Sequence, residues 1–222
     1  MVNSVSGRIL EGSRVLVDGF STHPFVLGIA NGTLPLEKFK YFMIQDYLYL
    51  MEYAKVFAIG AGKSYDDEIT DAFTAYVSSI RSGEMDIHRG YMSRLGIDMA
   101  EAAKTRMAQD NLSYTSYMLR IAYEAGPAEI CAAILPCAVS YEEIAVKMVK
   151  EDPSCVEHDF FGEWIKGYSS MEYHAENEEL IRITDKAAAG YGEEQIKRLV
   201  EIGNRCTLYE KAFWDMSWEM RK

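Results

Sequence analysis

Apolar residues in this chain recur every third or fourth position over long segments, and no stretch shows the two-residue alternation of a half-buried strand. Between Pro35 and Ile59, the side chains of Phe39, Phe42, Met43, Leu50, Tyr53 and Phe57 fall on one helical face. A second stripe runs through Ile69, Phe73, Tyr76, Ile80, Ile87 and Tyr91. Just before it, Ser64 and Asp67 have the spacing of a capping box, with Asp in place of the usual Glu. Gly126-Pro127 followed by Ala128-Glu129 opens a third helix, with proline in the first turn, where its missing N–H is no loss. From Glu193 to Met220, Ile196, Leu199, Ile202, Cys206, Phe213 and Trp214 keep the same rhythm. The prolines fall mostly where such helices begin or end, and no repeat or low-complexity linker divides the chain. The pattern predicts an all-α fold in one domain over residues 1–222, a bundle of about seven to nine helices.

With 49% of its 222 residues hydrophobic, the chain can build a substantial core. Its formal net charge of -11 repels phosphate backbones and anionic bilayers, so nucleic acid and membrane are not expected partners. A neutral or cationic small molecule suits that field better. The N-terminal stretch MVNSVSGRILEG has no basic segment leading into an apolar one, and the longest apolar run, Ile130 to Val139, is far short of a membrane span. A cytoplasmic protein is expected. Its four cysteines, Cys131, Cys137, Cys155 and Cys206, form no CxxC and no tight framework, and are predicted to be free thiols.

Three positions break the helical pattern. Asp46 lies four residues after Phe42 and four before Leu50, so it points inward with its apolar neighbours. A buried carboxylate needs a partner or a raised pKa, and either a structural hydrogen bond or a ligand meets that need. Glu210 stands one turn after Cys206 and Thr207 and one turn before Phe213 and Trp214. Aromatic surroundings would raise its pKa toward that of a general acid, while the alternative puts it at the stripe's edge with its head in water. Cys137 follows Pro136 inside an otherwise regular helix, where proline frees the Ala132 carbonyl and bends the segment. The small residues Ala132, Ala133 and Ala138 leave room beside it, and Tyr141 shares its face. That arrangement is either a pocket floor or a packed kink around an inert thiol. Fifteen tyrosines are many for this length, and Tyr47, Tyr49, Tyr114, Tyr117, Tyr141 and Tyr168 cluster near the odd positions, as suits a flat heteroaromatic ligand.

The histidines argue against a di-iron site, because the residues three before His23, His88, His158 and His174 are Phe20, Met85, Cys155 and Met171, none a carboxylate. Glu84 and His88, one turn apart, suggest a structural pair. No metal is predicted, and no phosphate-binding glycine fingerprint is present.

The phrases HPFVLGIANGTLPLEKFKYFMIQDYLYL (23–50), YTSYM (114–118), EICAAILPC (129–137) and YEKAFWDMSWEM (209–220) resemble the TenA/thiaminase II family from about residue 8 to residue 220. QDY, LPC and YE..FW.M.W in this order form the specific combination. The resemblance implies a haem-oxygenase-like helical fold, a homotetramer and no cofactor. It also implies hydrolysis of thiamine-derived aminopyrimidines: 4-amino-5-aminomethyl-2-methylpyrimidine to its hydroxymethyl counterpart, and cleavage of thiamine itself. The family's nucleophile falls on Cys137, its acid/base on Glu210, and the aspartate that holds the pyrimidine edge on Asp46. Its ring-binding tyrosines fall on Tyr49, Tyr114, Tyr141 and, across a segment of different spacing, Tyr168. One family branch uses a carboxylate in place of the cysteine; Cys137 places this chain in the cysteine branch. Two alternatives stand beside this expectation. One is a haem or quinone enzyme on the same fold, with His23 or His88 as the simplest axial ligand. The other is a non-catalytic regulatory ligand-binding protein.

Overall fold

A computed structural model describes residues 4–222, except for the side chains of residues 83–87, which include Glu84 and Ile87 of the sequence argument. The described residues contain no strand. The helices are α1 (Val5–Gly12), α2 (Arg14–Phe20), α3 (Pro24–Ala30), α4 (Leu36–Lys63), α5 (Asp67–Ser79), α6 (Met85–Arg94), α7 (Met99–Ala102), α8 (Gln109–Glu124), α9 (Pro127–Glu151), α10 (Gly162–Tyr168), α11 (Met171–Ala187) and α12 (Glu193–Glu219). A π-helical turn, Ile80–Glu84, joins α5 to α6, and a 3-10 turn, Pro153–Glu157, follows α9. The estimate of seven to nine helices was low, because short helices such as α2, α3, α7 and α10 are too brief to display a full period of apolar residues.

Local chemistry explains most helix boundaries. The start of α5 is capped by Asp66, whose carboxylate accepts from the Ile69 amide at 3.0 Å. Ser64 instead accepts from the Asp66 amide one step earlier, so the box expected from Ser64 and Asp67 does not form. At α9, Pro127 occupies the first turn and Glu129 reaches back to the Gly126 amide at 3.2 Å, as expected from the sequence. Lys63, at the end of α4, donates to the carbonyls of Ala122, Tyr123 and Ala125, satisfying the otherwise open C-terminus of α8.

Two long helices organise the molecule. α4 packs against α5, α6, α8, α9 and α12, and α9 packs against α8, α10, α11 and α12. The apolar stripe of α4 is buried throughout, and Trp214 of α12 stacks on Phe42 with ring centres 5.8 Å apart. Helix α9 runs through Pro136 without interruption. Beside this proline α12 carries Gly203, where a Cβ would sit 2.5 Å from the Ile9 side chain and 3.5 Å from the Ala132 carbonyl that Pro136 leaves unbonded within α9. The glycine leaves room for Ile9 of α1 against α12 beside α9, and Glu210 follows two turns further along α12. No described helix is long and apolar enough to cross a membrane.

Candidate active site

The three exceptional side chains come from three helices and meet in the interior. Asp46 on α4 is 4% exposed, Glu210 on α12 is 2% exposed and Cys137 on α9 is 9% exposed. Asp46 and Cys137 border a cavity of about 390 Å³, the size that small organic ligands occupy in proteins. Asp46, Tyr49, Cys137, Tyr141 and Tyr168 line it directly. Glu210 and Tyr114 lie behind this lining, beside Cys137 and Tyr141. The tyrosines form two ring pairs: Tyr49 lies 5.2 Å from Tyr114, and Tyr141 lies 4.9 Å from Tyr168 and 5.1 Å from Trp214. Tyr47 and Tyr117 do not line the cavity, although they belong to the same sequence cluster.

The edge reading of Glu210 is overturned by its burial. Desolvation pushes its carboxyl up to about 8, and the negative charge of Asp46 adds to the rise. Tyr114, Cys137 and Tyr141 lie close enough to pull part of it back. Yet Oε2 of Glu210 and the Tyr114 hydroxyl make no hydrogen bond of good geometry with any described residue. These are near-contacts that a small movement closes, as catalytic hydrogen bonds tighten on ligand binding. The phenols of Tyr49, Tyr114 and Tyr141 are held well above their ordinary value, first by burial and then by the acids and thiol around them. They stay protonated and offer hydrogen-bond donors to a ligand.

The Cys137 segment is braced from two sides. Ser140 donates to the Cys137 carbonyl at 3.1 Å, and the Ala138 carbonyl accepts from the Tyr173 hydroxyl at 3.1 Å and the Asn177 amide at 3.3 Å. None of the four cysteines forms a disulfide, and all are buried. Cys131, Cys155 and Cys206 are all pushed upward mainly by burial, Cys131 to about 12, and the nearby Glu210 adds to the rise of Cys206. Cys137 alone among them lines the cavity.

One residue of the site was missed from sequence. His88 on α6 lines the cavity and its Nε2 lies 2.7 Å from Asp46 Oδ2, both groups being buried. The pair is separated by 42 positions, so no local spacing reveals it. Glu84, the expected partner of His88, lies outside the described side chains. Replacing His88 by leucine leaves Asp46 buried without this partner, and a loss of about 3–5 kcal/mol of stability is expected. Denaturant titration measures it. The paired change of His88 and Asp46 to leucine should recover much of the loss; if it loses as much as the sum of the single changes, the pair is not what holds the two groups.

The axial-ligand alternative meets rings already in use. His23 caps α3, accepting from the Phe25 amide at 3.2 Å while its other nitrogen lies 3.2 Å from Asp215, and His88 is bonded to Asp46. Among the described residues no group of three or more His, Cys, Asp or Glu side chains can hold a metal ion.

An all-helical chain with an interior thiol, two buried acids and a tyrosine-lined cavity defines a recognisable class, and this chain belongs to the TENA/THI-4/PQQC family, whose pattern matches residues 14–220. Among its relatives is a protein of Helicobacter pylori named aminopyrimidine aminohydrolase, 40% identical over 97% of this chain and 99% of that one. A protein of the same name from Halalkalibacterium halodurans is 38% identical over 98% and 97%. The solved structure of a TenA homologue from P. horikoshii OT3 superposes with a TM-score of 0.87 at 28% identity, covering 97% of this chain and 99% of that one.

Proposed function

We propose that the protein hydrolyses thiamine-related aminopyrimidines, replacing the group on the exocyclic methylene of the ring by hydroxyl. The observation that carries this reading is the meeting of Cys137, Asp46 and Glu210 at one tyrosine-lined cavity. The names of the nearly full-length relatives point the same way. In this reading the Cys137 sulfur adds to an electron-poor ring carbon next to nitrogen, forming a C–S bond and breaking aromaticity. The ring electrons then expel the substituent, which departs with the pair of its C–N bond. Water adds to the exposed methylene, and loss of the thiol restores the aromatic ring.

Glu210 is suited to the proton transfers. An ordinary carboxylate is a weak base toward any thiol, whereas the ionised form of one held near 8 is better matched to take such a proton and return it to the ring nitrogen or the leaving group. Asp46 holds the amino edge of the pyrimidine, oriented by His88, and Tyr49, Tyr114, Tyr141 and Tyr168 enclose the ring. No cofactor is required by this chemistry. In the same reading the enzyme is cytoplasmic, and it is a homotetramer, as the family resemblance implies.

The direct test is incubation of the purified protein with 4-amino-5-aminomethyl-2-methylpyrimidine and with thiamine, following ammonia, thiazole and the hydroxymethyl product. Formation of the hydroxymethylpyrimidine is expected from at least one of the two. Its absence from both sinks the assignment.

A further inference from the structure

Helix α11 brings to the cavity wall an amide whose orientation is fixed by its own bonds. Asn177 is 3% exposed and lines the cavity beside Cys137. Its Nδ2 donates to a carboxylate oxygen of Glu142 at 2.6 Å and to the Ala138 carbonyl at 3.3 Å. Both partners only accept, so both hydrogens of Nδ2 are used. Turning the amide over would set its oxygen against two others. The second oxygen of Glu142 lies 2.6 Å from His174 Nδ1. Glu142 and His174 line a separate groove between α1, α9 and α11, so the amide is fixed from outside the cavity that holds Cys137.

The atom left over is Oδ1. It makes no hydrogen bond with any described residue and is not sealed from water-sized space. The open space that Asn177 borders is the cavity. An aligned acceptor with nothing to accept calls for a donor from water or a ligand. Its place says which. Asn177 is tied to Ala138, the residue after the nucleophile, while Asp46 takes the amino edge of the ring. The methylene that water must reach sits on the ring carbon next to the one the sulfur attacks, so the water has to arrive close to the Cys137 segment.

We propose that Asn177 holds the attacking water, accepting one of its hydrogens at Oδ1 and so turning an oxygen lone pair toward the methylene. The proposal rests on the hydrolytic reading above and gives the capture by water to a residue that the departure step does not need. The lone pair forms the C–O bond, and the electrons of the exocyclic double bond return to the ring and release the Cys137 thiolate. One water proton passes to the Glu210 carboxylate, which has by then given up the proton it took from the thiol, and from there it returns to the sulfur. The other stays on oxygen as the product hydroxyl, still directed at Oδ1. An amide oxygen is far too weak a base to take either proton, so Asn177 orients the water without ionising it.

The test is a competition for the intermediate in the full-length protein, run with 2-mercaptoethanol and whichever of thiamine and the aminomethylpyrimidine the parent turns over. A thiolate brings no hydrogen for Oδ1 to hold, so its capture is indifferent to Asn177. In Asn177→Leu the ratio of hydroxymethyl product to thioether should fall roughly five- to tenfold, while single-turnover release of the leaving group falls much less. Glu142→Ala frees the amide to turn and should lower the ratio by a smaller factor, and it decides alone if the leucine variant does not fold. An unchanged ratio, or equal losses in release and capture, overturns the assignment and leaves Asn177 a brace of α9. If the parent hydrolyses neither substrate, the hydrolytic reading fails separately. Calorimetric titration with hydroxymethylpyrimidine and with 4-amino-2,5-dimethylpyrimidine asks the same question without turnover. A preference for the hydroxyl compound that drops roughly fivefold in Asn177→Leu upholds the acceptor, and identical affinity ratios in both proteins overturn it.

Discussion

Cys137→Ser is expected to abolish turnover, by about 10³-fold or more, while the protein keeps its fold and its affinity for hydroxymethylpyrimidine. The two halves of this expectation have different physical origins. Serine is nearly isosteric with cysteine, and bonds that brace this part of α9 run to the carbonyls of Cys137 and Ala138, which the change leaves in place. The contacts proposed for the pyrimidine come from Asp46 and the tyrosines, which the change leaves in place. What disappears is a soft nucleophile whose proton a carboxyl near 8 can remove. A hydroxyl is far too weak an acid for that exchange. Thermal melting and ligand titration check the retained half, and single-turnover product formation checks the lost half. Full activity in the serine variant would end the covalent mechanism. Loss of both binding and melting cooperativity would instead mark Cys137 as a packing residue.

Glu210→Gln should separate activity from stability. A loss of about 10²- to 10⁴-fold in kcat is expected, since the other buried acid at the cavity, Asp46, is already bonded to His88. The rate profile of the parent protein should show a limb near pH 8 that the glutamine variant lacks. Stability should move the other way. The folded carboxyl keeps its proton to about pH 8, whereas the unfolded one loses it near its ordinary value of 4.5. Between those limits the folded state binds more protons, so its stability falls as pH rises through the window. Glutamine does not titrate and removes that slope, giving a gain on the order of 3 kcal/mol at pH 8 relative to pH 5. Parallel denaturation curves at the two pH values measure it. If they show the same difference for both proteins, burial does not govern the Glu210 carboxyl. If affinity falls and kcat does not, Glu210 is a binding group.

Much of the site was legible because it violated an otherwise regular pattern. Asp46 and Glu210 are acids on apolar stripes, and both prove to be interior. Cys137 follows a proline within a helix, and its side chain does open on a cavity. What escaped the sequence was relational. His88 looked like the partner of a residue one turn away, but it reaches Asp46 across the bundle. The start of α5 was misassigned by two residues because Ser64 and Asp66 are both competent caps, and only the backbone geometry chooses between them.

Helical class, the buried stripes and the identity of the exceptional residues were determined by the chain alone, because period, propensity and the cost of burying charge are properties of local sequence. The cavity, the Asp46–His88 pair, the raised carboxyl of Glu210 and its contact with Cys137 were decided by tertiary structure. Each depends on distances between helices. Those distances are set by packing at places such as Gly203 against Ile9, which no spacing along a single segment encodes.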